Sequence, residues 1–336
     1  MRVIPMNTEE LDVDETVLTL LDNMIWPLLV VLSLAVAVLV PRTFRNLRSI
    51  EFILHGAVGL GFVTLAAGIC LIAGYFDLSV GAISGFAAML TGLVVGGGGW
   101  NLINNAAVGF ALISLVGIAV GVFNGYLIGK VGINPFLQTL AMLIILDGAT
   151  VTLSTVTVTG LPAAYVYPGK QAWSAITLLL IAFAITGTVL RYTSFGQAIY
   201  ALGSDESSAR AVGISTTRLT VIVYGISGFF SAIGGLMLTG FTGVVAPTLG
   251  DTLLFPAFAA AVIGGISLFG GRGSITGALG GVLLLGLIQS ALNISGVQPE
   301  QIQLANGLVL FTAILLYNSR RELRQQVLST NVSSEV

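Results

Sequence analysis

The sequence predicts an all-α polytopic membrane protein of about ten transmembrane helices, and three observations carry that prediction. Hydrophobic residues make up 55% of the chain and charged residues 8%, against roughly 25% charged residues in soluble domains. Mean hydropathy is +0.99. The chain also divides at polar or Gly/Pro breaks into ten apolar runs, most of them close to the about 20 residues that a spanning helix needs. Lipid is the one solvent that accepts this much apolar surface, since each Å² removed from water gains about 25 cal/mol.

In order, the runs lie near residues 24–40, 52–73, 79–95, 104–129, 135–158, 173–190, 218–241, 253–269, 274–295 and 302–317. The first follows an acidic flank, Glu9, Glu10, Asp12, Asp14, Glu15 and Asp22, with no small-residue cleavage site behind it. It therefore reads as an uncleaved helix rather than a signal peptide. The fifth is the least helix-like, because Thr150, Thr152, Thr155, Thr157 and Thr159 make its end polar and β-branched. The expected organisation is an acidic cytoplasmic segment at 1–23, a transmembrane domain at 24–317 with an interior loop at 191–217, and a cytoplasmic tail at 318–336.

Basic residues set the orientation, since Lys and Arg favour cytoplasmic loops. With the N-terminus inside, nine fall on the inner side (Arg2, Lys130, Arg191, Arg210, Arg218, Arg272, Arg320, Arg321, Arg324) and four outside (Arg42, Arg45, Arg48, Lys170). Both termini are thus expected in the cytoplasm, although the arginine cluster at 42–48 points the other way. The acidic balance argues against a nucleic-acid partner. Cys70 is the one cysteine and His55 the one histidine, so neither a disulfide nor a histidine metal site is expected. The 43 glycines suit close helix packing, with Gly277 and Gly281 at the i, i+4 spacing that lets backbones approach.

An inverted repeat is expected on one correspondence. Asp77 precedes the glycine run Gly96–Gly99 by 19 residues, and Asp251 precedes Gly270, Gly271 and Gly273 by the same 19, at an offset of 174. Five runs fit within that offset, an odd number, so the second copy is inverted across the membrane. Transporters that bind cargo at the repeat interface show such Gly-interrupted segments in matching positions. In a chain with 43 glycines chance gives the same match.

Five residues are candidates for the translocation pathway: Asp77, Ser79, Asn124, Gln138 and Asp147. An ionisable group at membrane depth costs about 2.5–3.5 kcal/mol on insertion scales and is a functional candidate by default. For Asp77 a second reading stands beside this one, a helix cap accepting the N–H of Ser79 or Val80. Asp147 lies mid-run, where it either serves function or pairs with a neighbouring helix. Asn124 and Gln138 either meet cargo hydroxyls or bind helices together.

The hydrophilic stretch 191–217 contains Ser204-Asp205-Glu206-Ser207-Ser208-Ala209-Arg210-Ala211-Val212-Gly213, which reads as a short helix. Ser204 or Asp205 caps it, Glu206 suits its first turn, Arg210 its last, and Gly213 ends it. Such a helix is either an ordinary surface feature or a docking element for a soluble partner. No G-x-x-x-x-G-K-[ST] phosphate loop occurs in the sequence; Gly125-Tyr126-Leu127-Ile128-Gly129-Lys130-Val131 is one residue short and lacks the hydroxyl. The chain is therefore not expected to be an enzyme or to hold a cofactor of its own.

Three stretches together resemble the ribose-type ABC importer permeases. Tyr192-Thr193-Ser194-Phe195-Gly196-Gln197-Ala198-Ile199-Tyr200-Ala201-Leu202-Gly203 with Glu206 to Ile214 resembles that family's coupling loop. Asp77-Leu78-Ser79-Val80-Gly81 resembles its Asp-Leu-Ser-Val-Gly signature, and Val262-Ile263-Gly264-Gly265-Ile266-Ser267-Leu268-Phe269-Gly270-Gly271-Arg272-Gly273-Ser274 its late glycine-rich motif. Asn134-Pro135-Phe136-Leu137-Gln138-Thr139-Leu140 fits more weakly. The matches occur in family order over about residues 50–317. The resemblance implies about ten helices, a second permease copy or sister chain, cytoplasmic ATPases that use the ATP, and an extracytoplasmic binding protein delivering a monosaccharide across a prokaryotic inner membrane. It also implies that Ser204, Asp205, Glu206, Arg210 and Gly213 couple to the ATPase.

The sequence departs from that pattern at Tyr75 and Phe76, where small residues are usual, at Ser207-Ser208 in place of an Ala pair, and at Asp147, where many relatives carry arginine. These departures leave the particular sugar open. Permeases for branched-chain amino acids or nucleosides share the coupling loop. An H⁺- or Na⁺-driven secondary transporter also fits ten helices, but needs more intramembrane ionisable groups than Asp77, Asp147 and Asp251 supply.

Overall fold

The computed structural model describes residues 24–298, 300–312 and 315. The expected N-terminal segment 1–23 and tail 318–336 lie outside these residues. Among the described residues each apolar run contains a helix: α1 (Ile25–Leu39), α2 (Leu47–Gly56), α3 (Val58–Ile72), α4 (Val80–Val95), α5 (Ala106–Tyr126), α6 (Pro135–Leu153), α7 (Ala163–Lys170), α8 (Ala172–Tyr192), α9 (Ser194–Ser204), α10 (Glu206–Ala211), α11 (Thr216–Thr242), α12 (Leu254–Ile263), α13 (Ile275–Ile294) and α14 over 300–312. Among the described residues, six stretches are long and apolar enough to cross a membrane: α2 with α3, α5 with the π-turn Leu127–Val131 that follows it, α6, α8, α11 and α13. The chain is thus an all-α membrane protein. The apolar helices α1, α4 and α12 are shorter than a full crossing.

Local chemistry explains most boundaries. Asn46, Asn105, Asn134, Thr193, Asp205 and Ser274 cap α2, α5, α6, α9, α10 and α13 with their side chains, each satisfying an N–H that the helix leaves unpaired. Two boundaries differ from the sequence expectation. The helix of the fifth run stops at Leu153 rather than 158, and Val158 instead pairs with Val245 in an isolated antiparallel bridge; the β-branched threonines beyond Leu153 prefer that extended backbone. The helix of the eighth run stops at Ile263 rather than 269, and Gly264 and Gly265 open an irregular stretch to Ser274.

The core is built around α3 and α11. Every residue of α3 is buried. Along α11, glycines remove the side chains that would hold α5 away: a Cβ on Gly125 would lie 2.7 Å from the Val221 Cα, and Gly117 and Gly121 face Gly228 and Gly225. Backbone-to-backbone contact of this kind maximises dispersion where no hydrophobic effect drives helices together. Gly277 and Gly281 seat α13 against Gly264 and Ala260 in the same way, as their spacing suggested. Over the best 18-residue windows, α2–α3 is 78% buried but α5 and α6 only 22%, so those two helices face outward with apolar side chains. His55, at the end of α2, contacts the Gly169 carbonyl of α7 at 2.6 Å.

Two irregular segments enter this bundle from opposite ends. Residues 73–79 follow α3 at the end where Gly74 meets Gly203 and Gly270. Residues 243–253 follow α11 at the other end, beside Val158 and close to the Gly96–Gly98 and Gly160 contact. They approach one another where Gly250 packs on Gly81 and Gly85 of α4. Non-helical backbone at membrane depth is tolerated when protein or water, not lipid, surrounds it.

Candidate functional site

Asp77 stands in the first irregular segment, just before α4, and is fully buried. Its Oδ1 accepts the Ser79 N–H at 3.0 Å and the Ser79 hydroxyl at 2.6 Å, and its Oδ2 accepts the Ser227 hydroxyl of α11 at 2.7 Å. The network continues outward. Asn124 of α5 donates Nδ2 to the Ser79 Oγ at 3.1 Å, and Gln138 of α6 donates Nε2 to the Asn124 Oδ1 at 3.1 Å. The adjoining backbone is held as well, since the Phe76 carbonyl accepts the Tyr224 hydroxyl at 2.8 Å and Tyr75 pairs with Thr220 at 2.9 Å.

Four of the five sequence-predicted pathway residues therefore join one chain of hydrogen bonds spanning α4, α5, α6 and α11. Asp77, Ser79 and Asn124 are buried, and Gln138 at its end is half-buried. Three hydrogen bonds, each stronger for the carboxylate's charge, compensate a group that has no described ion-pair partner. Sequence reading missed Ser227, Tyr224 and Thr220. Their signal was present, because Thr220, Tyr224, Ser227 and Ser231 mark one polar stripe at spacings of four, three and four along an apolar helix.

Asp147 stays outside the network. It is half-buried on α6, and Asp251 is exposed in the second irregular segment. Neither carboxylate forms a salt bridge among the described residues.

At one end of the bundle, α9 and α10 form the hydrophilic element expected at 191–217, although Arg191 and Tyr192 still belong to α8, and Thr216 and Thr217 to α11. Asp205 rather than Ser204 caps α10, accepting the Ser208 N–H at 2.7 Å, while Ser204 ends α9 with its hydroxyl on the Tyr200 carbonyl at 2.9 Å. Hydrogen bonds from Ser207, then Ser208, hold the exposed Asp205 carboxyl at a pKa of about 2. Glu206 and Arg210 pair at 2.7 Å on the exposed surface. Such a pair adds about 0–1 kcal/mol to stability, so both charges remain free to re-pair with a partner. Gly213 ends the element at φ +88°.

What anchors α9 is a glycine seat that the sequence did not reveal. Gly203 rests directly on the Ile72 carbonyl at the end of α3, with Gly74, Gly270 and Gly271 around it. The Gly271 N–H donates to Ile72 O at 2.9 Å, and the Tyr200 hydroxyl to Gly273 O at 2.8 Å. The exposed helices are thereby joined by backbone contacts to both 73–79 and 264–274.

Residues 49–317 match the family described as the branched-chain amino acid transport system / permease component. The chain is 32% identical over 296 residues to the ribose import permease protein RbsC of Bacillus subtilis, covering 86% of this chain and 90% of the relative. It is 30% identical over 306 residues to the L-arabinose transport system permease protein AraH of Escherichia coli, covering 88% and 90%. The autoinducer 2 import system permease protein LsrD of Klebsiella pneumoniae is 29% identical over 282 residues, covering 81% and 83%. No solved structure matches.

Proposed function

Because the chain belongs to the family of branched-chain amino acid transport system permease components, we propose that it is the membrane subunit of an ATP-binding-cassette importer carrying a monosaccharide. The observation that carries this reading is the exposed α9–α10 element, seated through Gly203 on the segments that lead to the Asp77 network. The chain offers a lever to a partner but no phosphate loop of its own. The sugar class rests on the ribose and L-arabinose permeases among its relatives.

In this reading ten spans are α1, α2–α3, α4, α5, α6, α8, α11, α12, α13 and α14, the short ones completed by irregular segments. They divide into five and five, and α3 and α11 then occupy equivalent central places. The glycine runs at 96–99 and 270–273 sit at opposite ends of the bundle, which supports an inverted repeat. Both termini and the α9–α10 element face the cytoplasm of a prokaryotic cell, where ATPase subunits dock. A binding protein delivers the sugar on the other side, and a second permease copy or sister chain packs against the exposed apolar faces. Asp77, Ser79, Asn124, Gln138 and Asp147 control the pathway between them, Asp77 and Asn124 as the buried brace and Gln138 and Asp147 at its accessible margin.

Docking is tested by co-purifying the permease with its ATPase. Glu206→Lys and Arg210→Glu should weaken the complex, and Asp205→Ala should weaken it by unwinding α10, whereas Asp205→Asn keeps a capping oxygen and should preserve it. The folded carboxyl titrates near 2, below the about 3.9 of an unfolded aspartate. Its stabilising effect is therefore full above about pH 4 and is lost as pH falls toward 2, so docking through this helix should be level between pH 5 and 8. Retention of the complex by both charge reversals would remove α10 from the interface. A cysteine at Ser207 should react with an impermeant thiol reagent only from the cytoplasmic side, without background from buried Cys70.

A further inference from the structure

We propose that a cleft of about 460 Å³ between α13, α14, α12 and segment 243–253 is a subsite for a neutral, polyhydroxylated ligand, on the face of the protein opposite the coupling helices. The proposal rests on the sugar-importer reading and gives it a second, outward-facing site.

The lining chemistry selects the ligand class. Gln289 and Asn293 of α13, Gln303 and Asn306 of α14, and Thr248 and Thr252 of the irregular segment all face the cleft. Gln289 Nε2 reaches Asn306 Oδ1 at 3.4 Å; the side chains of Asn293, Gln303, Thr248 and Thr252 make no hydrogen bond among the described residues. Carboxamides and hydroxyls both donate and accept, as sugar hydroxyls do. None of the described lining residues is charged. An amino acid would leave its ammonium and carboxylate without counter-charges, at a desolvation cost that a sugar does not incur. The volume lies within the range of small-molecule sites, roughly 300–1,000 Å³, and Leu60 and Pro256 supply an apolar wall for the C–H face of a ring.

The position agrees with that use. The cleft opens beside Thr242 and Val244, at the end of α11 remote from the Gly203 seat. Gln289 and Asn306 lie inside apolar helices, where carboxamides facing lipid are expensive, and they turn toward one another and the cleft instead. Asn124 and Gln138 on α5 and α6 are committed to the Asp77 network, whereas the exposed Asn293 of α13 and Gln303 of α14 are uncommitted.

The test uses the complete complex, permease with its ATPase and loaded binding protein, in proteoliposomes supplied with a panel of radiolabelled pentoses and hexoses that includes D-ribose and L-arabinose. Asn293→Leu combined with Gln303→Leu should lower sugar uptake by about tenfold or more, as expected for losing two hydrogen bonds to the cargo. Stimulation of ATP hydrolysis by the loaded binding protein should persist, and Asn293→Gln with Gln303→Asn should restore much of the uptake. In parallel, a cysteine at Gln303 should react with a thiol reagent from the outer side and be slowed severalfold by the transported sugar. Parental uptake by the double-leucine variant, or labelling indifferent to sugar, would overturn the subsite alone. Failure of the parental complex to import any sugar of the panel would instead overturn the sugar-importer reading on which it rests.

Discussion

Replacing Asp77 by alanine is expected to abolish sugar uptake and to destabilise the permease by about 3 kcal/mol. The variant leaves the Ser79 N–H and the hydroxyls of Ser79 and Ser227 without their acceptor in a site that excludes water. Each buried unpaired group costs about 1–3 kcal/mol, and the two hydroxyls recover part of that by turning to other acceptors. Asp77→Asn is the sharper probe of function. Asparagine keeps the shape and the oxygen that accepts the Ser79 N–H, and its amide donates to Ser227, so the fold should lose only about 1 kcal/mol. Uptake should still fall, because the brace between the start of α4 and α11 has lost its charge-assisted bonds, while ATPase binding should survive. Uptake at the parental rate at equal membrane abundance would reduce Asp77 to a tolerated polar residue. Thermal unfolding in detergent and initial uptake rates separate the two effects.

Gly203→Val is expected to produce the second largest effect, loss of coupling with α10 still formed. A Cβ at this position would lie 2.6 Å from the Gly271 nitrogen and closer still to the Ile72 carbonyl. These are backbone atoms, so relief requires lifting α9 off its seat. Gly213→Val makes the informative comparison. Unlike the helical Gly203, Gly213 has a left-handed backbone, at φ +88°, and nothing lies within 4 Å of an added Cβ. Its cost is confined to local strain of about 1–2 kcal/mol, and the damage to coupling should be correspondingly smaller. For Gly203→Val, ATP hydrolysis should continue on the bound ATPase with little uptake. Uptake equal to the parent would show that the seat transmits no movement.

The apolar runs were legible because lipid demands a continuous apolar length, and six helical stretches among the described residues are long and apolar enough to cross a membrane. Capping was legible for the same kind of reason: Asp77, Asp205 and Gly213 act on groups two or three residues away, and short-range chemistry is written in short-range sequence. The rest depends on distant partners. Ser227 lies 150 residues from the carboxylate it binds, and only the polar stripe on α11 hints at it. Gly203 was one glycine among 43; its role exists only where three separate backbones meet. The end of α12 at Ile263 was hidden because the run stays apolar to Phe269, although glycine pairs had already broken the helix. Gln289 and Asn306 were overlooked inside otherwise apolar stretches, where a single carboxamide reads as helix glue until a cleft gives it another use.

The most direct test of the central claim is the energy source for uptake in proteoliposomes holding the permease, its ATPase and the sugar-loaded binding protein. The account predicts sugar accumulation that requires ATP inside the coupling compartment, ceases when the ATPase is omitted, and is indifferent to imposed proton or sodium gradients. Accumulation by the permease alone under a proton or sodium gradient would contradict it, and would move Asp147 and Asp251 to the centre of a secondary-transport mechanism.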